Sequence, residues 1–291
     1  MVSLNVPDHP QANLAGVLVG AGRPVVVMGA LNVSPESFHG GSVYPERSAL
    51  IDAALGMVEA GAAVIDVGAR STAPYFDTEV SDEEERRRLT GAVEALVGKL
   101  SVPVSADTTR PEAARAALES GAGILNDVRG LRDPELGRLA AAHEAGVILM
   151  AFPEPGRAPE GDPVATTGRL LTGCLERARQ AGVPDERVVL DPGIGFFREG
   201  PVAWDARDVA VLAGLRRLLA LGRPLCVGVS RKSFIGAITG RASAQDRLPG
   251  SLAATALAVA NGAALIRTHD VAETVDAVRV AERIARAPSD A

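Results

Sequence analysis

Residues 102–152 read VPVSADTTRPEAARAALESGAGILNDVRGLRDPELGRLAAAHEAGVILMAF, and this stretch decides the fold. The runs at 102–108, 123–128 and 146–152 are rich in β-branched and aliphatic residues. The first ends at Asp107 and the second at Asn126 and Asp127. Between them, 112–120 and 134–145 carry a helical period. Strands that are apolar almost throughout and alternate with helices form a parallel sheet covered on both faces. The same unit recurs on either side. Toward the N-terminus lie 25–33, which includes Asn32, and 62–69, which passes Asp66 and leads to Arg70. Toward the C-terminus come 187–193 with Asp191, 224–230 leading into Arg231 and Lys232, and 263–270 with Arg267 and His269. Helical segments are expected at 48–60, 82–100, 207–221 and 252–261. Eight such units predict an α/β protein, a single closed (β/α)8 TIM barrel with its active site at the C-terminal ends of the strands. The polar residues therefore share one rim.

No linker divides the 291 residues, and the Gly/Pro-rich stretch 152–163 reads as a loop over the rim. Barrels of about 250 residues or more form one domain, so a single domain over 1–291 is expected. The formal net charge of −6 argues against nucleic acid or an anionic membrane surface as a partner, since both need clustered positive charge. Cys174 in an expected helix and Cys226 in an expected strand read as buried thiols, and no Cys/His metal spacing is present. No apolar run approaches the roughly 18 residues of a membrane span, and the N-terminus lacks a basic region followed by an apolar core. The cytoplasm is the expected location.

Each rim residue has a chemical reading and an ordinary one. The Asn32 amide suits a hard cation or a phosphate, or else caps a turn in Asn32-Val-Ser-Pro. Thr108 and Thr109 before Arg110-Pro111 suit a helix start, which leaves Asp107 unexplained. A buried carboxylate at Asp107 and a buried amide at Asn126 need partners, and a heterocycle with amidine-like N–H groups supplies them. Asp191-Pro-Gly-Ile-Gly-Phe-Phe197 fixes a tight turn that lets backbone pass close to a ligand, and one of the two phenylalanines offers a face to a flat ring. Arg231 and Lys232 form either an anion site or a solvated surface pair. Arg267 and His269, two apart on a strand, point to one side and with Asn32 suit a pyrophosphate group.

These segments together resemble a known family. Asn32-Val-Ser-Pro-Glu-Ser-Phe38, Asp107-Thr108, Asn126-Asp127-Val128, Asp191-Pro-Gly-Ile-Gly-Phe196, Ser230-Arg-Lys-Ser233 and Arg267-Thr-His269 are similar in order and spacing to the dihydropteroate synthases. The resemblance runs from about Val25 to the last helix. It implies condensation of 6-hydroxymethyl-7,8-dihydropterin diphosphate with para-aminobenzoate or a related arylamine, with Mg²⁺ present, in folate biosynthesis. It places the pterin against Asp107, Asn126, Asp191 and Lys232, and the diphosphate against Asn32, Arg267 and His269, with Mg²⁺ at Asn32. It places the aminobenzoate against Thr72, Phe196 and Ser230, names Lys232, Arg267 and His269 as catalytic, and implies a homodimer. Loops 33–44 and 70–80 are expected to close over the rim when the diphosphate binds. Arg267 and His269 are expected to serve the diphosphate without affecting a pterin that lacks it.

The chain departs from the family pattern in three places. Ala73 stands where the family's second loop has arginine, so Arg70 is the candidate substitute. Met150-Ala-Phe stands in place of Met-His-Met, and Arg198 in place of a lysine. A pterin-dependent methyltransferase and a non-catalytic pterin-binding barrel are the alternatives. The Asn32, Arg267 and His269 set favours the synthase.

Overall fold

The computed structural model describes residues 11–20, 22–33, 47–70, 80–153 and 160–287. Thr72, Ala73, most of both rim loops and residues 154–159 of the Gly/Pro-rich loop lie outside the described residues.

An antiparallel hairpin, β1 (Ala12–Leu14) and β2 (Val17–Val19), precedes β3 (Val26–Asn32), α1 (Arg47–Glu59), β4 (Val64–Gly68) and α2 (Asp82–Leu96). The middle units are β5 (Val104–Asp107), α3 (Pro111–Glu119), β6 (Ile124–Asp127), α4 (Pro134–Ala142), β7 (Gly146–Met150) and α5 (Pro163–Gln180). The last are β8 (Val188–Asp191), α6 (Trp204–Ala213), α7 (Leu215–Leu218), β9 (Leu225–Val227), α8 (Ser233–Thr239), α9 (Leu248–Ala260), β10 (Ala263–Thr268) and α10 (Val271–Ala285). Strands β3 to β10 pair in parallel and close into an eight-stranded barrel in which β10 lies beside β3. This is the (β/α)8 architecture.

Local chemistry starts the helices. Ser81 accepts from the Glu84 amide ahead of four acidic residues in the first turn of α2, where the helix dipole favours negative charge. Asp133 and Asp162 cap α4 and α5 in the same way, each followed by proline at the first helical position. The threonines before α3 do not cap it. Its cap position is Arg110, while the Thr108 hydroxyl donates to the buried Glu85.

The helix expected over 207–221 begins earlier, at Trp204, and breaks into α6 and α7 at Gly214. A side chain at Gly214 would run into Val164 of α5, so the glycine permits close packing at the cost of helix continuity.

Side chains alternate across a strand, and this alternation divides the barrel interior into layers. At the N-terminal end Val26, Met28, Val64, Ile124, Ile148, Val189, Cys226 and Leu265 form one apolar cluster with Ala12, Leu14 and Val19 of the hairpin. The hairpin thus plugs the bottom of the barrel, an element the sequence analysis did not anticipate. Two residues further along, the inward positions become Asp66, Asn126, Met150, Asp191 and Arg267 on their strands and Gly228 just beyond β9. The interior is apolar below and charged above.

Candidate active site

The charged layer opens into a cup at the C-terminal ends of the strands. Asp107, Asn126, Asp191, Phe196, Ser230, Lys232, Arg267 and His269 line it together with Val128, Met150, Ile194 and Gly228. Eight of the ten residues to which the resemblance assigns a site role therefore share one cavity. Asn32 ends β3 on the adjoining wall, where a methyl group built on Gly68 would meet Asn32 Oδ1 at 3.3 Å and Asp107 Oδ2 at 3.7 Å. Thr72 lies outside the described residues.

Arg267 is held between two carboxylates. Its Nε donates to Asp66 Oδ2 at 2.6 Å and its Nη2 to Asp107 Oδ2 at 3.0 Å. Burial works against the Arg267 charge, but Asp66 and Asp107 more than offset it and keep the guanidinium protonated. Asp107 moves the other way. Burial, reinforced by the charge of Asp66, pushes its carboxyl up to about 7 even though Arg267 pulls it down. Asp66, fully buried, was named in its strand from the sequence but given no role there. The available signal was a single acid at an inward position of an otherwise apolar run, Ala63-Val-Ile-Asp66-Val.

The turn after β8 is built on glycine. Asp191 Oδ1 accepts from the Gly193 amide at 2.7 Å, and burial raises the Asp191 carboxyl above its ordinary value. Gly193 has φ +75°, and a side chain there would strike the Ala151 carbonyl oxygen. Gly195 is held by Asp208 of α6, whose Oδ1 accepts from its amide at 2.9 Å. Asp208 is almost fully buried, and burial pushes it up to about 6. It escaped notice because Arg207-Asp208 in a helix reads as an ordinary charged pair.

The two phenylalanines divide their duties. Phe197 is buried beneath the Arg207 guanidinium, whereas Phe196 faces the cup with Lys232 Nζ 4.4 Å from its ring centre. Burial lowers Lys232 to about 8, and Asp191 and Asp208 limit the fall.

Other sequence expectations are altered by the geometry. Arg231 and Lys232 do not form a joint cation site. Arg231 has φ +55°, turns out of the cup and makes a bidentate ion pair with Asp270, while Lys232 faces the ligand space. Strand β10 ends at Thr268, so His269 lies one residue beyond it, yet it still lines the cup with Nδ1 3.0 Å from Ser230 Oγ. Asp127 serves its own loop, accepting from the Arg129 and Leu131 amides. Arg70 is engaged behind the rim, where it pairs with the buried Glu85 at 2.9 Å and donates to Thr109.

A cup that gathers acids and an amide with an arginine and a histidine suits a polar heterocycle carrying an anionic group. Comparison with known proteins agrees. Residues 28–269 match the family model described as pterin binding enzyme. The dihydropteroate synthase of Escherichia coli is 41% identical, over 88% of this chain and 90% of its own. The Xanthomonas albilineans dihydropteroate synthase solved with 4-aminobenzoic acid superposes with a TM-score of 0.84 at 40% identity, covering 96% of this chain and 100% of its own. The same enzyme in complex with 7,8-dihydropteroate gives 0.82 at 39% identity with the same coverage.

Fold and cup together define a barrel enzyme of the pterin-binding class. Within that class the chain belongs to the dihydropteroate synthase family, and it is accordingly a transferase of folate biosynthesis.

Proposed function

We propose that the chain, acting as a dihydropteroate synthase, joins 6-hydroxymethyl-7,8-dihydropterin diphosphate to para-aminobenzoate or a related arylamine, releasing pyrophosphate and 7,8-dihydropteroate. The observation that carries this reading is the single cup that gathers Asp107, Asn126, Asp191 and Lys232 together with Arg267 and His269. The Xanthomonas albilineans complexes with 4-aminobenzoic acid and 7,8-dihydropteroate support the same two partners.

Asp191 accepts hydrogen bonds from the pterin's exocyclic amine and ring nitrogen, Asp107 and Asn126 take its remaining polar edge, and Lys232 donates to its carbonyl or N5. Asn32, Arg267 and His269 hold the diphosphate. Thr72, Phe196 and Ser230 frame the arylamine. The bond between the pterin methylene carbon and the diphosphate oxygen breaks with its electron pair on oxygen, and Arg267 and His269 meet that charge. The arylamine nitrogen then bonds to the methylene carbon and gives its proton to solvent. No protein nucleophile takes part, and Lys232, Arg267 and His269 are the catalytic groups.

The residues present fit Mg²⁺. Asn32 Oδ1 and Asp107 Oδ2 flank the same slot over Gly68, and hard oxygen donors suit an ion held largely by water and substrate phosphates. Among the described residues no cluster of three or more His, Cys, Asp or Glu could hold a metal by itself, so Asn32 would share the ion with the diphosphate. When bound, Mg²⁺ neutralises charge on the leaving group.

We further infer that the chain acts as one domain and as a homodimer. Exposed Leu257 on α9, with Val280 and Ile284 on the adjacent α10, supports a second copy packing there. A cytoplasmic location is in keeping with the absence, among the described residues, of any helix long and apolar enough to cross a membrane.

Pyrophosphate release, measured with para-aminobenzoate and other arylamines, tests the function. Release is expected only when an arylamine is present, and Ala73→Arg is expected to lower KM for para-aminobenzoate more than KM for the pterin. No release by either protein with any arylamine would overturn the reading.

A further inference from the structure

We propose that Asp66 is a positioning residue that couples recognition of the pterin to recognition of the diphosphate. This rests on the assignment of Asn126 to the pterin and Arg267 to the diphosphate. Asp66 is fully buried beneath the cup and works through its neighbours. A single oxygen, Oδ2, accepts from Asn126 Nδ2 at 3.1 Å and from Arg267 Nε at 2.6 Å.

The three residues lie on strands that share no backbone ladder. Strand β4 carries Asp66 and pairs with β3 and β5, whereas Asn126 is on β6 and Arg267 on β10. The connection therefore runs through the barrel interior by side chains alone. It also sets what each partner offers the substrate. With Nδ2 committed to Asp66, the Asn126 amide turns its oxygen away from that carboxylate, so it can accept from a heterocyclic N–H. With Nε on Asp66 and Nη2 on Asp107, the plane of Arg267 is fixed by two acids. Because both donors meet at one acceptor oxygen, a shift of either changes the bond available to the other.

A buried carboxylate is costly unless it is paired and hydrogen-bonded. Asp66 offsets part of that cost through Oδ2, which takes one partner from each half of the substrate site, while its buried Oδ1 has no hydrogen-bond partner among the described residues. Arg267 consequently touches both halves, so the expected independence of its diphosphate role from pterin binding does not suit this geometry.

The test is a double-mutant cycle read by calorimetry. Inorganic pyrophosphate with Mg²⁺ is titrated into the full chain, Asn126→Ala, Asp66→Asn and the double variant. Asn126→Ala is expected to change pyrophosphate affinity by about threefold to tenfold in the wild-type background and by less than about 1.5-fold with Asp66→Asn. The reciprocal arm titrates 6-hydroxymethylpterin into Arg267→Gln with and without Asp66→Asn, and the same pattern is expected. Asp66→Glu, which keeps the charge, should restore part of the coupling, and Asp66→Ser, which lacks the carboxylate, replaces Asp66→Asn in the cycle if a thermal melt shows that Asp66→Asn does not fold.

An effect of Asn126→Ala that is absent in wild type, or equal in both backgrounds, overturns the proposal. If the wild-type chain binds the pterin but not pyrophosphate, the diphosphate assignment fails and the coupling proposal falls with it, whereas binding of both ligands without coupling overturns the proposal alone.

Discussion

Lys232 is the residue whose ionisation the surroundings of the cup shape most visibly. Its ammonium faces Phe196 and is bracketed by acids of two elements, Asp191 of β8 and Asp208 of α6, while Arg267 and Arg198 oppose it. Burial brings it down to about 8, so its charge is present below that value and lost as pH rises through it. Asp107 stands at about 7 because of burial and the charge of Asp66, so its carboxylate is lost as pH falls through that value. The expected profile of kcat/KM for the pterin diphosphate therefore falls on both sides of a narrow maximum between these two values. Lys232→Met should lower kcat/KM and remove the alkaline limb while leaving the acid limb. Steady-state rates from about pH 6 to about pH 9.5 would show this, and an unchanged alkaline limb in the variant would take Lys232 out of that titration. The residue types were legible from the sequence, since acids and cations at strand ends need partners. Their pairing was not. Arg231 and Lys232 are neighbours in the chain, yet the left-handed backbone at Arg231 sends one to Asp270 and the other into the cup.

At the level of elements, the turn after β8 shows how backbone conformation shapes the wall of the cup. Gly193 and Gly195 both adopt positive φ, Asp191 and Asp208 each accept one of their amides, and the chain passes close enough to β7 that no side chain fits at Gly193. Gly193→Ala combines left-handed strain of roughly 1–2 kcal/mol with a clash against the Ala151 carbonyl oxygen, so the turn must move. Pterin affinity is expected to fall by about tenfold or more. Gly222→Ala is a matched control, because Gly222 also has positive φ, at +72°, but nothing lies within 4 Å of the added methyl group. It should lose stability without losing pterin affinity, as thermal melts beside calorimetry would reveal. Equal pterin affinity in the two variants would mean that this turn does not shape the pocket. This turn was legible in the sequence because Asp-Pro-Gly-Xaa-Gly is a local signal. The break between α6 and α7 was not, because it depends on how closely α6 packs against Val164 of α5.

Over the whole molecule, the barrel separates stability from function along its axis. The hairpin seals the apolar end with Leu14, and a side chain at Gly146 of β7 would meet it at 2.8 Å, while the charged cup occupies the opposite end. Leu14→Ala should therefore destabilise the protein by about 2–5 kcal/mol and leave KM for both substrates unchanged. Denaturant midpoints and steady-state kinetics at a temperature where the variant stays folded would check this, and an altered KM would show that the plug communicates with the site. The sequence by itself determined the strand and helix alternation, the barrel, the rim and the kinds of group gathered there, because periodicity, apolar runs and glycine turns are local properties of the chain. Only the tertiary structure decided which groups pair. Arg267 meets Asp66 across 201 residues of sequence, and Asp208 reaches Gly195 from a neighbouring helix. These partners become neighbours only when eight strands close around one interior, where a charge removed from water must find its counterpart across the barrel.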